Sequence, residues 1–141
     1  MAELAQRIAR YREILLKDPL SRVYVPLADL LQQSGELEEA LLLLEDGLSR
    51  NPGHQAAMVV LGRALLQAGR QDHGVKVLHR VLELSPDNFV VLRTLVENFM
   101  QRDAFTHALP MLERLVEIEP EQQEWPRQLA EARERMGAAS D

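Results

Sequence analysis

The sequence has 141 residues, of which 46% are hydrophobic and only 4% aromatic, and its formal net charge is -6. This acidic balance disfavours sequence-independent binding to nucleic acid, which requires a basic surface. The absence of cysteine excludes disulfides, thiol catalysis and thiolate metal sites. Leucine, alanine and glutamate are abundant, so the composition favours helices over strands.

The N-terminal stretch MAELAQRIARYRE is charged throughout and lacks the apolar core of a secretory signal. The longest apolar run, in the segment ALLLLE at residues 40–45, is far shorter than the roughly 18 apolar residues that a membrane span requires. We therefore expect a cytoplasmic protein that does not insert directly into a membrane.

The first predicted element is an amphipathic helix over residues 1–18, which ends before Pro19. The apolar side chains that recur on one face of this helix are Leu4, Ile8, Tyr11 and Leu15. A second, weaker apolar face contains Ala5, Ala9 and Leu16 and is interrupted by Arg12. The first face predicts packing onto the next element, and the second offers a surface for self-association.

Prolines mark a periodicity along the rest of the chain. Pro52, Pro86 and Pro120 follow one another at intervals of 34 residues, and Pro19 lies 33 residues before Pro52. A fixed period of this size indicates a repeat architecture in which each repeat is one supersecondary element. The complete repeats are residues 21–54, 55–88 and 89–122.

Each repeat contains two apolar segments with helical spacing, separated by a turn. Gly35 and Gly69 interrupt the first two repeats where a helix is expected to end, and glycine is suited to the left-handed conformation found after helix C-termini. Asp103 occupies the corresponding position in the third repeat. Each repeat therefore predicts an antiparallel helix hairpin.

Small residues recur where the two helices of a hairpin face each other. Ala28 is expected opposite Ala40, and Gly62 opposite Gly74, so that the helix axes approach closely. The period, the prolines, the small residues and the glycine turns together resemble the tetratricopeptide repeat family over residues 21–122. This resemblance implies an all-α fold, a right-handed α-solenoid of antiparallel helix hairpins with about eight helices.

After the third repeat, residues 123–137 are predicted to form a capping helix, followed by a short tail at residues 138–141. The apolar side chains of this helix are Trp125, Leu129, Ala132 and Met136. Its polar outer face is suited to closing a stack of repeats. Trp125 lies near a position where tetratricopeptide repeats carry a core aromatic, so the resemblance implies that it packs in the interior.

No pattern in the sequence predicts catalysis. The four histidines lack the spacing and the third partner that a metal site requires, and no phosphate-binding loop or nucleophile motif occurs. The acidic run ELEEA at residues 36–40 is explained by the favourable field at a helix N-terminus. We therefore expect no catalytic residue, no metal and no cofactor.

The tetratricopeptide resemblance also implies where a ligand binds. In this family the first helix of each repeat lines a concave groove at fixed positions. Among the side chains at those positions, the ones that form an apolar strip and its charged rim are Val25, Asp29, Val59, Arg63, Leu66, Val90, Arg93, Glu97 and Met100. An apolar strip with a charged rim is suited to an amphipathic helix or an extended peptide of a partner protein.

Other interpretations of these positions remain open. The same side chains are also suited to filling space between layers of the repeat. Arg63 and Arg93 have two roles available: contact with a carboxylate of the ligand, or ion pairs with Asp29 and Glu97.

The sequence thus predicts a non-enzymatic adaptor or scaffold that binds a protein or peptide ligand, with no nucleic-acid partner. Two alternatives remain. A helix followed by three repeats resembles the architecture of type III secretion class II chaperones, which are acidic, dimerise and hold apolar segments. The second alternative is a self-associating structural scaffold that forms a homodimer through its N-terminal helix.

Overall fold

The computed structural model describes the backbone of residues 2–140 and the side chains of residues 2–138. Met1 and Asp141, which belong to the predicted N-terminal helix and the predicted tail, lie outside the described residues. Within this range the chain forms eight α-helices and no strand, in agreement with the predicted number. The helices are α1 (Ala2–Lys17), α2 (Tyr24–Gln33), α3 (Leu37–Arg50), α4 (Gln55–Gln67), α5 (Gln71–Leu84), α6 (Phe89–Gln101), α7 (Phe105–Ile118) and α8 (Glu124–Ser140).

The periodic prolines lie just beyond four of these helices. Each of Pro19, Pro52, Pro86 and Pro120 is the second residue after the end of α1, α3, α5 and α7, respectively. Proline lacks the N–H that continues a helix and disfavours helical dihedral angles in the residue before it. The repeated stops predicted from the sequence are therefore present in the fold.

The turns after α2, α4 and α6 share one geometry. Gly35, Gly69 and Asp103 all have positive φ, at 84°, 83° and 57°. After Gly35, the Glu36 N–H donates to the Leu31 carbonyl over 2.8 Å, and the equivalent bond follows the other two residues. This is the Schellman arrangement, in which a left-handed residue closes the helix. The aspartate is the least favourable of the three, because only glycine adopts this conformation without a steric cost.

The chain divides into two compact units, residues 1–78 and 79–141, and the division falls within α5. In the first unit, α2 packs against α1, α3 and α4. The largest fully buried side chains of this unit are Leu27, Leu31, Leu44, Leu65 and Leu78. On the N-terminal helix, Ile8 is buried, and Leu4, Tyr11 and Leu15 pack beside it, as predicted.

Close approach of α4 and the start of α5 depends on two glycines. A Cβ added to Gly74 would lie 3.0 Å from the carbonyl oxygen of Gly62, and one added to Gly62 would lie 2.5 Å from the Leu78 side chain. Neither position has room for a methyl group without displacing a neighbour. The predicted pairing of these two small residues is therefore present.

In the second unit, α7 packs against both α6 and α8. The largest fully buried side chains of this unit are Val81, Val91, Leu95, Val96, Leu112 and Leu115. The Asn88 side chain caps α6 by accepting a hydrogen bond of 3.2 Å from the Val91 N–H, which satisfies one free donor of the first turn.

The last helix is longer than the sequence indicates. Helix α8 continues through Gly137 to Ser140, into the segment that was predicted to be a tail. Gly137 does not adopt the left-handed conformation that ends α2 and α4, and the two alanines after it have high helix propensity. A glycine alone therefore does not stop this helix.

Candidate functional site

In the first unit, the predicted groove residues lie on two helices that pack against each other. Val25 and Asp29 belong to α2, and Val59, Arg63 and Leu66 belong to α4. All five side chains are half-buried, so each contributes to packing as well as to the surface. Val25 in particular packs against the core of this unit.

Leu66 also belongs to the packing of its own hairpin. A Cβ added to Gly74 would lie 2.8 Å from Leu66 Cδ2, which means that the leucine side chain lies directly over this glycine. On the same side of the unit, the Gln67 side-chain amide donates to the Gln32 carbonyl of α2 at 3.4 Å. This bond joins the C-terminal ends of α2 and α4, since both residues lie in the last turns of those helices.

In the second unit, a cavity of about 440 Å³ opens between α6 and α8. Three predicted groove residues, Arg93, Glu97 and Met100, line it from α6. Val90, the fourth predicted residue on α6, is exposed and does not line it. The remaining lining side chains are Val96 and Gln101 of α6 and Glu124, Trp125 and Gln128 of α8. We refer to this cavity as the α6–α8 cleft.

Trp125 forms an anchored wall of the α6–α8 cleft. Only 5% of its surface is exposed, and its indole N–H donates to Glu119 Oε2 at 2.7 Å. The Arg93 guanidinium carbon lies 5.8 Å from the centre of the tryptophan ring, within the range of a cation–π contact. The predicted packing of Trp125 in the interior is confirmed, and the same side chain faces the cleft.

The two predicted arginine–carboxylate pairs are not formed. Among the described residues, Arg63 makes no ion pair with Asp29, and Arg93 makes none with Glu97. The Asp29 carboxylate instead accepts a long contact of 3.5 Å from the Gln33 amide. Arg93 lies against the aromatic ring, which sequence spacing did not predict. At the rim of the cleft, the Glu124 carboxylate accepts a hydrogen bond of 2.9 Å from the Gln128 amide, and Glu97 forms no ion pair with Arg93.

The residues of α8 were not among the predicted groove positions, although a signal was present. The positions 34 and 68 residues before Trp125 are Val91 and Ala57, and both are fully buried. Trp125 thus occupies a repeated core position with a much larger side chain. Applying the repeat to α8 would have identified this change in size.

Two further features describe the surface chemistry. Across the part of the chain that the structure covers, no three His, Asp or Glu side chains are grouped closely enough to hold a metal ion. None of the helices in that part combines the length and the apolarity needed to cross a bilayer. The cleft itself contains carboxylates, amides, one guanidinium and apolar groups.

Comparison with known proteins agrees with the repeat. Residues 31–97 match the sequence profile of the tetratricopeptide repeat family. No curated protein matches the sequence.

Three solved structures illustrate the similarity of fold. A mutant of MamA is 25% identical with a TM-score of 0.66 over 81% of this chain and 66% of that one, just under two thirds of its length. MamA from Desulfovibrio magneticus RS-1 is 16% identical, with a TM-score of 0.81 over 95% of this chain and 76% of that one. A tetratricopeptide repeat protein from Parabacteroides merdae ATCC 43184 is 14% identical, with a TM-score of 0.80 over 97% of this chain and 55% of that one.

The likeness of the last two structures concerns the fold alone, and it extends over nearly the whole chain. The family profile identifies the repeat itself, across the helices from the end of α2 to the middle of α6. The predicted recognition is therefore confirmed: residues 31–97 carry the tetratricopeptide repeat, and the described chain has an all-α fold.

Proposed function

We propose that this protein is a non-enzymatic interaction module that binds a peptide or helix of a partner protein, with the α6–α8 cleft as a principal part of the binding surface. The observation that carries the proposal is that the cleft brings Arg93, Glu97 and Met100, three residues implicated by the family resemblance, next to Trp125. Tetratricopeptide repeats are protein-interaction modules in general. A cytoplasmic location remains a prediction from the sequence.

The chemistry of the cleft favours a ligand with both apolar and polar groups. Met100 and the Trp125 ring supply apolar surface, and tryptophan and methionine are enriched at protein interfaces. Arg93, Glu97 and Glu124 supply charges of both signs at the rim. A volume of about 440 Å³ lies toward the small end of the usual range for ligand pockets, which suits one or two side chains of a peptide.

We therefore infer that an amphipathic segment inserts an apolar side chain beside Met100, while its polar face meets the rim. Recognition of this kind uses side chains at helical spacing or on one face of an extended strand. The half-buried groove residues on α2 and α4 form a separate surface in the first unit. Val25, Asp29 and Leu66 have contacts within that unit, which leaves Val59 and Arg63 as its candidate ligand contacts. Leu66 is a poor probe of binding, because a charge there would also disturb the packing over Gly74.

Affinity capture from the source cells tests the proposal, with wild-type protein and an Arg93→Glu, Met100→Glu double variant as parallel baits. Both side chains line the cleft without being fully buried, so we expect the double variant to keep its helical circular dichroism and to lose at least one captured protein. The matched control is an Arg127→Glu, Ala130→Glu double variant, since both residues are exposed on α8 outside the cleft. Equal capture by all three baits would contradict the proposal.

A second candidate function is a self-associating scaffold that uses the outer face of α1. Leu16 is 84% exposed on this helix, whereas Ile8 is buried in the core of the first unit. Light scattering over a range of concentrations tests it with the Leu16→Glu variant, which leaves the buried face of α1 intact. A mass that rises with concentration only for the wild type supports the scaffold, and identical monomer masses contradict it.

A further inference from the structure

A second cavity lies in the first unit, lined by residues other than the nine strip and rim residues of the predicted groove. Its volume is about 270 Å³, and it opens beside the N-terminus of α2 and the turn between α3 and α4. The side chains that surround it include Leu20, Arg22, Tyr24, Arg50, Asn51 and His54. None of the nine strip and rim residues of the predicted groove lines this cavity, which we call the Tyr24 pocket.

Arg50, the last residue of α3, is held in a fixed position at the Tyr24 pocket. Its guanidinium donates to the Pro19 carbonyl at 3.2 Å and pairs with the Asp46 carboxylate at 3.1 Å. The guanidinium carbon lies 5.9 Å from the centre of the Tyr24 ring. A guanidinium has five N–H donors, and these contacts do not use all of them. Arg50 therefore presents a positioned cation with donors to spare.

Tyr24 is fixed just as firmly. Its ring lies against Gly47, where an added Cβ would come within 2.2 Å of the ring carbons, and only 6% of the residue is exposed. A hydrogen bond of 2.9 Å joins its hydroxyl to His54 Nδ1. Burial raises the pKa of Tyr24, and the positive charges of Arg50 and Arg22 oppose this effect. The phenol is therefore neutral at pH 7, with both guanidiniums close to it.

The charged side chains that line the pocket are both guanidiniums, although the Asp46 carboxylate that pairs with Arg50 lies beside the pocket. No carboxylate is among its lining residues, although the chain as a whole has a net charge of -6. Arg22 has no ion pair within the portion of the chain described by the structure. Next to this uncompensated charge, Leu20 is 72% exposed and adds apolar surface. Cationic and amide donors and an apolar wall therefore meet in one small cavity.

We propose that the Tyr24 pocket binds an anionic group, a carboxylate or a phosphate, that is carried on a compact apolar body. Arg22, Arg50 and Asn51 contact the anion, since guanidinium groups match the geometry of carboxylate and phosphate oxygens. Leu20 and the tyrosine ring contact the apolar body. The volume lies just below the usual range for ligand pockets, roughly 300–1,000 Å³, so the bound part is the size of one side chain and not of a nucleotide.

The first experiment titrates the full-length protein with phenyl phosphate, benzoate, inorganic phosphate and benzyl alcohol, followed by amide chemical shifts in NMR. We expect phenyl phosphate and benzoate to shift the amides of Arg22, Asn51 and His54 with saturation. Inorganic phosphate tests the anion alone and should bind more weakly, and benzyl alcohol tests the apolar body alone and should not saturate. Equal binding by benzyl alcohol, or no saturable shift with either aromatic anion, overturns the proposal.

The second experiment compares charge variants with phenyl phosphate as the probe. Arg22→Ala should weaken binding about tenfold, which corresponds to the loss of roughly 1.4 kcal/mol of binding free energy. Arg7→Ala is the matched control, because it removes the same charge from an exposed position on α1 that does not line the pocket. Asn51→Ala provides a second, uncharged test and should also weaken binding. If Arg22→Ala and Arg7→Ala have equal effects, the attraction is non-specific and the site is refuted.

Discussion

The two units use equivalent helices in opposite ways. In the first unit α2 packs against α4, whereas in the second unit a cleft separates α6 from α8. Helix α8 lies two repeat periods after α4, and Trp125 occupies the position that Ala57 occupies in α4. Ala57 is fully buried and leaves room for close packing, while the indole of Trp125 fills a much larger volume. The larger side chain at this repeated core position thus occurs together with a candidate binding cleft, where the first unit has two helices in contact.

The largest expected effect comes from removing this wall. Trp125→Ala should lower the free energy of unfolding by about 3–5 kcal/mol, because it leaves a cavity in the second unit and removes the partner of Glu119. Urea titration followed by circular dichroism measures the loss. Trp125→Phe keeps most of the ring and loses the hydrogen bond, so it should cost only about 1 kcal/mol. A loss below about 1 kcal/mol for the alanine variant would mean that the indole does not support the unit.

The reciprocal change enlarges the small residue in the first unit. Ala57→Leu should destabilise the protein by about 1–3 kcal/mol, because the tightly packed core around α4 has no space for the larger side chain. Ala56→Leu is the control, since Ala56 is exposed on the same helix. Equal urea midpoints for the two variants would show that Ala57 does not limit the packing of α4.

A smaller difference between the units lies in their turns. Asp103 has φ of 57° in the second unit, where the first unit has glycine at Gly35 and Gly69. Asp103→Gly should raise the free energy of unfolding by about 0.5–1 kcal/mol, since relief of the left-handed strain is partly offset by the greater freedom of glycine in the unfolded chain. Thermal unfolding measures the change.

The control for this turn is Asp103→Ala. It removes the same weak, exposed contact with Arg135 at 3.8 Å, yet it keeps a side chain at positive φ. It should not stabilise the protein. If alanine stabilises as much as glycine, the backbone conformation is not the cause.

Much of the fold was predictable because its stops are local. Each periodic proline ends a helix through its own missing N–H, and Gly35 and Gly69 adopt the left-handed turn regardless of distant contacts. Pairing of Gly62 with Gly74 was predictable for a similar reason, since only small residues permit such close helix axes. Gly137 was misleading because the alanines after it continue α8.

The candidate site was only partly predictable, because side-chain partners depend on three-dimensional competition. Arg93 has both a carboxylate and an aromatic ring within its reach, and it lies against Trp125. Leu66 occupies a groove position by repeat register, yet it covers Gly74 within its own hairpin. The cleft itself depends on the separation of α6 and α8, which becomes apparent only once the size of Trp125 is compared with that of Ala57.

Photo-crosslinking from inside the α6–α8 cleft tests the central claim most directly. A photoreactive phenylalanine analogue replaces Gln101, which lines the cleft, or Ala130, which is exposed on α8 outside it, and each protein is irradiated in the source cells. We predict a discrete crosslinked partner from position 101 that is absent from position 130 and is lost when Arg93→Glu and Met100→Glu are added. Crosslinks from position 130 alone, or the same products from both positions, would contradict a binding role for the cleft.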